Sequence, residues 1–330
     1  MKILSIIIPS YNTSQFIDKC IPTYISDAVK QSLEVLIVND GSKDDTLQKA
    51  QYYEQKYPEC IRVISKENGG HGSAVNAGIE HATGKYIRVI DGDDWVETEN
   101  LVKLVDLLKN STSDVVLTPY YEVDQSRNFQ KKLIPVNLDT GFHYFKDIAL
   151  QFDSFAIHST TVKAEILKGL PQKFSEKCFY DDFEFYMFIV PYVETLTVSD
   201  YVVYDYLVGQ KNQSVSKASA LKNHLMPRKI LKDSIKYFNS CRTDNIHKDF
   251  MEKNLITFGR STYNIYLRNY DSHEAYQLIK EYDTYLKNDY FWLRGKILDQ
   301  NRYLKVALKN KILFNLIGLV FALYKKTEFR

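Results

Sequence analysis

The chain has 330 residues, 45% hydrophobic and 14% aromatic, enough apolar material for one large globular domain or two. Its 43 Lys and Arg stand against 41 Asp and Glu, so the formal net charge of +2 offers no argument for nucleic acid as a partner. The four cysteines, Cys20, Cys60, Cys178 and Cys241, form no C-x-x-C pair, which speaks against a structural zinc site or a disulfide scaffold and fits a reducing compartment.

Residues 3–8 are a continuous apolar run ending on Pro9-Ser10-Tyr11-Asn12. The run is short and lacks a small-residue cleavage site, so it reads as a first strand and not as a signal peptide. Over 14–30, Phe16, Ile17, Cys20, Ile21, Tyr24 and Ile25 recur at helical spacing, with Pro22 expected to interrupt the helix. A second strand, 34–39, ends on Asp40-Gly41 and leads into a helix reaching about residue 57, with Asp44 as its N-cap. A third unit repeats the pattern: strand 61–65, the turn Asn68-Gly69-Gly70-His71-Gly72, and an Ala-rich helix over 73–81. The fourth strand is the β-branched and aromatic run Tyr86, Ile87, Val89, Ile90, which stops on Asp91-Gly92-Asp93-Asp94. A helix over 97–108 and a fifth strand over 114–118 complete the alternation. Such alternation implies an α/β fold with a mostly parallel sheet and helices on both faces.

In sheets of this kind the turns after the carboxyl ends of the strands gather along one edge, where ligands bind. That edge would hold Tyr11, Asp40, the Gly-rich turn and the acids Asp91, Asp93 and Asp94. Three acids in four residues repel one another unless solvent screens them or a hard divalent cation neutralises them. The Gly-rich turn suits backbone amides approaching a phosphate, although Gly69, Gly70, Gly72 and Gly78 match neither the dinucleotide fingerprint nor a P-loop.

After Pro119 the alternation fails. Residues 120–135 read as a hairpin or irregular excursion, 141–152 as a helix and 155–161 as a short strand. A helix opens at Asp181-Asp182, and strands follow at 195–198 and 201–208. The acid pair either complements the helix dipole or supplies a general base. His71 and His158 are either polar site residues or structural ones. We expect a first domain over 1–217 and a helical region over 218–330, with helices at 221–238, 249–268 and 272–286. The apolar run 312–324, flanked by Lys305, Lys309, Lys311, Lys325 and Lys326, is too short to span a bilayer. Over 305–326 an interfacial membrane helix and a helix packed on the domain both remain open.

Five motifs in order, IIIPSYN at 6–12, VNDGSKDDT at 38–46, ENGGHGSAVNAGI at 67–79, GKYIRVIDGDDW at 84–95 and YDDFEF at 180–185, resemble family 2 of the inverting glycosyltransferases. The likeness runs through roughly the first 210 residues and is nearest to bacterial enzymes of capsular, exopolysaccharide or wall glycan synthesis. It implies the GT-A fold, a Rossmann-like nucleotide-diphospho-sugar transferase architecture. It implies that Pro9 and Tyr11 frame the nucleotide base, that Asp40 bonds uracil, and that Asn68 and Gly72 line the donor pocket. Asp91 and Asp93 become the Asp-x-Asp pair, with Asp93 the direct ligand to Mn2+ or Mg2+ and Asp94 turned towards the sugar or the outer sphere of the metal. Asp182 becomes the base, with Asp181 where the family usually carries Glu. The family also commonly has Arg where this chain has Val75, which shifts neutralisation of the diphosphate onto the metal or another basic group.

The implied activity is metal-dependent, inverting transfer of a hexosyl group from a UDP-sugar to a hydroxyl of a glycan or lipid-linked acceptor. The implied setting is the cytoplasm, with peripheral contact at the inner face of the plasma membrane and no nucleic-acid partner. A sugar-nucleotide nucleotidyltransferase and a non-catalytic nucleotide-binding scaffold are the alternatives. The first normally presents a basic Gly-rich signature near its N-terminus, which IIIPSYN is not, and the second has no need of intact acids at every motif position.

Overall fold

A computed structural model describes residues 2–124, 130–134, 136–209 and 217–328. The chain divides into two compact units, Met1–Gln210 with Arg242–His247, and Lys211–Cys241 with Lys248–Arg330.

In the first unit the chain opens with strand β1 (Leu4–Ser10), helix α1 (Ser14–Cys20), β2 (Leu33–Asp40), α2 (Thr46–Lys56), β3 (Ile61–Lys66), α3 (His71–His81) and β4 (Tyr86–Val89). Pro22 interrupts the first helix as expected, and α1 tightens into a 3-10 turn over Ile21–Tyr24. Every residue of β1, β2 and β4 is buried, which is why these strands read as unbroken apolar runs and not as alternating ones. Pro9 is tolerated in β1 because of where its ring falls. Ile3 and Ile7 carbonyls accept from Tyr86 and Ile90, so Pro9, of the same parity, faces the β4 side just past the end of that strand, where no ladder bond is lost. Asp44 is not the N-cap of α2, since the helix begins at Thr46. Its carboxylate instead accepts from the Thr46 amide at 3.1 Å and the Ser14 amide at 3.2 Å, tying two helix starts together.

The unit continues through β5 (Trp95–Val96), α4 (Thr98–Asn110), β6 (Val115–Leu117), β7 (Tyr120–Val123), β8 (Gln130–Leu133), β9 (Gly141–Tyr144), α5 (Phe145–Ile148), β10 (Thr160–Lys163), α6 (Ala164–Lys168), α7 (Asp181–Ile189), β11 (Thr195–Val198) and β12 (Tyr204–Leu207). The main sheet has the order β3-β2-β1-β4-β10-β6-β11-β9, and a smaller one the order β5-β12-β7-β8. The pairs from β3 to β4 are parallel, as the alternation implies, but β10 enters between β4 and β6 antiparallel to both. The hairpin expected over 120–135 is β7 with β8; its connection, 125–129, lies outside the described residues.

Two expectations are corrected by tertiary pairing. Residues 141–144 form an edge strand against β11, and the helix is confined to Phe145–Ile148 with a 3-10 turn over Ala149–Gln151, because the open edge of β11 offers ladder partners that helical periodicity ignores. The strand expected over 155–161 is displaced to Thr160–Lys163, after a 3-10 turn at Ile157–Ser159.

The second unit is helical: α8 (Lys217–Lys222), α9 (Met226–Ser240), α10 (Asn245–Arg268), α11 (Ala275–Asp289), α12 (Phe291–Gln300), α13 (Arg302–Ala307) and α14 (Lys311–Glu328). The single helix expected over 221–238 is broken at 223–225, because Pro227 fits a first helical turn and not an interior. The core of this unit holds Tyr263, Tyr266 and Tyr282, with the Asp283 carboxylate taking the Tyr263 hydroxyl at 2.7 Å and the Arg294 guanidinium at 2.8 and 3.0 Å. No described helix is long and apolar enough to cross a membrane.

Two glycines test this packing in opposite directions. A Cβ at Gly72 would lie 2.3 Å from the Ser175 carbonyl oxygen, whereas one at Gly295, inside α12, meets nothing within 4 Å. Gly72→Ala should lose about 1–3 kcal/mol of stability in urea unfolding, and Gly295→Ala should gain about 0.5–1 kcal/mol.

Candidate active site

The carboxyl edge of the sheet is organised by one buried side chain. Register places Asp40 opposite Lys66, and the Lys66 ammonium donates to the Asp40 carboxylate at 2.9 Å. The same carboxylate accepts from the amides of Gly69 at 2.9 Å and Gly70 at 2.7 Å, while the Asp40 carbonyl accepts from the Asn68 side chain at 2.9 Å. The reading of the Gly-rich turn as a phosphate cradle is thereby corrected for these two amides. A buried carboxylate, 2% exposed, already supplies the acceptor they need.

The glycines serve a close approach instead. Gly70 has φ of 85°, and a Cβ there would lie 3.0 Å from the Lys177 nitrogen; Lys177 donates its amide to the Gly69 carbonyl at 2.6 Å. Together with Gly72, which abuts Ser175, the loop admits the segment leading to α7. Buried Glu184 braces that segment by accepting from the Ser175 amide at 2.7 Å and hydroxyl at 2.8 Å. The chain then enters α7 through Tyr180 in the left-handed region, φ 72°.

This docking carries the acid pair to the acidic turn after β4. His71, the first residue of α3, contacts Asp181 Oδ2 through Nδ1 at 2.6 Å and Asp91 Oδ1 through Nε2 at 3.0 Å. Burial works to lower the pKa of the imidazole, but the Asp181 charge and hydrogen bond and those of Asp91 outweigh it and hold His71 well above the usual histidine range. Burial pushes the other way on Asp91, whose pKa is nonetheless lowered by His71 and, less strongly, by His158.

The small sheet clamps the other side of the turn. Register sets β12 against β5, so that the Tyr204 hydroxyl donates to Asp94 at 2.6 Å and receives the Asp91 amide at 3.1 Å. The Leu207 amide also donates to Asp94, at 2.8 Å. Asp94 is fully buried, and burial together with the charges of Asp93 and Asp91 drives its pKa well above the usual carboxylate range. Gly92 completes the joint: a Cβ there would lie 2.8 Å from the Pro9 carbonyl, which fixes the turn against the end of β1.

His158 faces the same acids. It stacks on Tyr206 with ring centroids 4.3 Å apart, and its Nε2 lies 4.0 Å from Asp91 Oδ2. Beneath it the fully buried Arg88 guanidinium donates to the His158 carbonyl at 2.5 Å and to the hydroxyls of Thr161 and Thr118 at 3.0 and 3.1 Å. Burial lowers the Arg88 pKa to about 10. Among the described residues, Asp91, Asp94 and His158 bring one ligand atom each within 4.8 Å of one another. The two carboxylates are oxygen donors of the kind that Mn2+ or Mg2+ takes, and a cation there would counter the burial and the Asp93 and Asp91 charges that raise the Asp94 pKa. Asp91, expected in the Asp-x-Asp pair, is in this set, as is Asp94, which the resemblance turns towards the sugar or the outer sphere of the metal; Asp93 lies on the same turn.

Asp182 is the exposed member of the acid pair. Withdrawal of water by the surrounding protein and the adjacent Asp181 charge push it up to about 6. Tyr11, 47% exposed, stands beside Asn12, whose amide is held by Ser42 and whose side chain receives the Lys43 amide. Pro9 and Gly72 are buried, and Asn68 is exposed at the mouth of the loop. Arg88 carried a sequence signal, a charge inside an apolar strand. Nothing in the sequence marked Tyr204 or joined His158 to the acids.

A parallel β3-β2-β1-β4 sheet with an acidic turn at its switch point and a second, smaller sheet clamping that turn defines a GT-A fold. Residues 5–165, just under half of the chain, match the model of Glycosyl transferase family 2. The uncharacterized glycosyltransferase EpsJ of Bacillus subtilis (strain 168) is 35% identical over 139 residues, 42% of this chain and 39% of EpsJ, so the alignment spans about two fifths of that relative. Among solved structures, S. aureus TarS 1–349 in complex with UDP-GlcNAc superposes with a TM-score of 0.58 at 19% identity, covering 92% of this chain and 90% of that one. The mannosyltransferase PcManGT of Pyrobaculum calidifontis, in complex with GDP-Man and Mn2+, gives 0.56 at 16% identity, covering 98% and 87%. At these identities the likeness shows the shared fold.

The His71 bridge has a signed pH consequence. Its folded-state pKa lies above the unfolded value of about 6.5, so its contribution to stability is fully present below that value and is lost as pH rises through the folded pKa. The stability advantage of the native chain over His71→Asn, read from urea midpoints, should be largest near pH 6 and shrink in alkaline buffer.

Proposed function

We propose that the protein transfers a sugar from a nucleotide diphosphate donor, a UDP-sugar, to a hydroxyl of a glycan or lipid-linked glycan, with inversion at the anomeric carbon, in the cytoplasmic assembly of a surface polysaccharide or glycoconjugate. The observation that carries this reading is the His71 bridge, which sets the acidic turn after β4 and the acid pair of α7 on either side of one imidazole. Donor-side and acceptor-side acids then share a single cleft. The nucleotide-sugars bound by TarS and PcManGT support the class of donor.

The roles divide by environment. The exposed ring of Tyr11 stacks on the base at the Pro9–Asn12 turn, while Asp40 and Asn68 hold the loop beneath it. A divalent cation held by Asp91, Asp94 and His158, with Asp93 on the same turn, would act as Lewis acid towards the departing diphosphate. Asp181 is committed to His71, so the neighbouring carboxylate is the one available to take a proton. Asp182 has solvent access and a pKa near 6, which leaves it ionised at neutral pH yet basic enough to accept the acceptor hydroxyl proton. That oxygen attacks the anomeric carbon from the face opposite the leaving diphosphate. The C–O bond to the donor phosphate breaks, the proton resides on Asp182, and one displacement inverts the centre.

Purified protein with Mn2+ should hydrolyse one UDP-sugar slowly in a screen of UDP- and GDP-sugars, and chelation should abolish the turnover. Hydrolysis of a GDP-sugar alone would redirect the donor assignment, and an α-linked product from an α-linked donor would overturn inversion. Asp182→Asn should lower kcat by about 10^2–10^4-fold while leaving UDP affinity nearly unchanged by calorimetry. If Asp181→Asn abolishes transfer and Asp182→Asn remains active, the base has been misassigned. Because the base must be ionised, kcat/KM should fall as pH drops through about 6.

A further inference from the structure

Helix α14 is apolar on two faces, and the second unit uses one of them. Phe314 is fully buried, with its ring 5.5 Å from Tyr276, and Phe321 lies 5.2 Å from Tyr303. Gly318 between them abuts Tyr270, where a Cβ would come within 2.3 Å of the side chain. On the opposite face Ile312, Leu316, Leu319, Val320 and Leu323 are 73, 53, 43, 59 and 56% exposed. Their spacing, i, i+4, i+7, i+8 and i+11, gathers them into one arc of about 100° on an α-helix. Isolated exposed apolar residues need no account, but a continuous stripe of aliphatic side chains does.

Charge decides what covers it. Residues 302–327 contain Arg302, Lys305, Lys309, Lys311, Lys325 and Lys326 and no Asp or Glu, although the chain as a whole is nearly balanced. Lys309 and Lys311, at the start of the helix, are exposed. A second copy of this chain seated on the stripe would bring like charges together, whereas an anionic lipid surface would neutralise them. An aliphatic stripe with basic flanks is the pattern of helices that lie in the headgroup region with their apolar side at the acyl boundary.

We propose that α14 seats the protein on the surface of an anionic lipid bilayer, with Ile312, Leu316, Leu319, Val320 and Leu323 inserted and Lys309 and Lys311 at the headgroups. The proposal does not depend on the reaction assigned to the first unit. The full chain is to be sedimented with phosphatidylcholine vesicles and with vesicles containing about a third phosphatidylglycerol. Partition onto the anionic vesicles should exceed that onto neutral ones by at least about tenfold and should weaken in high salt. Leu316→Glu/Leu319→Glu should reduce it by about tenfold or more, while Leu150→Glu, at an exposed leucine in the other unit, should leave it unchanged.

Should the double glutamate variant fail to fold by circular dichroism, Lys309→Gln/Lys311→Gln serves in its place. It should retain the native melting temperature and lose about fivefold in partition per lysine. Equal partition onto both vesicle types, or no response to either double variant, overturns the proposal. So does a dimer in sedimentation velocity that Leu316→Glu/Leu319→Glu dissociates while neither protein binds anionic vesicles.

Discussion

Repulsion among carboxylates at the carboxyl edge of the sheet is the constraint that the site is built to manage. Asp91, Asp93, Asp94, Asp181 and Asp182 converge there, and left alone they could not all remain ionised. The fold answers with three different devices. His71, its pKa raised by the two acids against the pull of burial, lies between Asp91 and Asp181. Tyr204 and the Leu207 amide occupy Asp94, which is driven towards its neutral form. Asp182 keeps access to solvent and an intermediate pKa. One environment thus yields a lowered, a strongly raised and a moderately raised carboxyl within the same cleft, and division of chemical labour among identical side chains rests on that spread.

Backbone proximity makes these devices possible. Gly72 against Ser175, Gly70 against Lys177 and Gly92 against Pro9 are contacts that a single methyl group would obstruct. Each joins segments far apart in sequence, and their common product is the meeting of α3, α7 and the turn after β4. Asp40 works in the same cause from below. By accepting from Gly69, Gly70 and Lys66 it freezes the loop from which His71 projects. The glycines that suggested phosphate binding therefore act one step earlier, in assembling the cleft.

How much of this was legible in the sequence varied with the range of the interaction. The strands β1 to β4 were readable because both faces of β1, β2 and β4 are buried, which leaves uninterrupted apolar runs. The candidate site residues Tyr11, Asp40, Asn68, Asp91, Asp93 and Asp94 were singled out because they stand at or after strand ends, the edge at which ligands bind in sheets of this kind. The misread segments are those whose structure is set by a distant partner. Residues 141–144 become a strand through pairing with Thr195–Val198, and β10 enters antiparallel between two strands that precede it by more than forty residues. Local periodicity has no access to such pairings.

By itself, then, the sequence determined the alternating α/β order, the edge at which acids collect and a motif series that resembles family 2 of the glycosyltransferases, because short apolar runs, breakers and turn residues act locally. Only the tertiary structure decided what each acid contacts. It chose His71 as the bridge, brought Tyr204 and His158 from distant parts of the sequence to the acidic turn, and gathered Asp91, Asp94 and His158 into one set. The physical reason is that pKa and coordination depend on which groups lie within a few ångströms through space, and that neighbourhood is fixed by sheet register and glycine-mediated packing between segments that the linear order keeps apart.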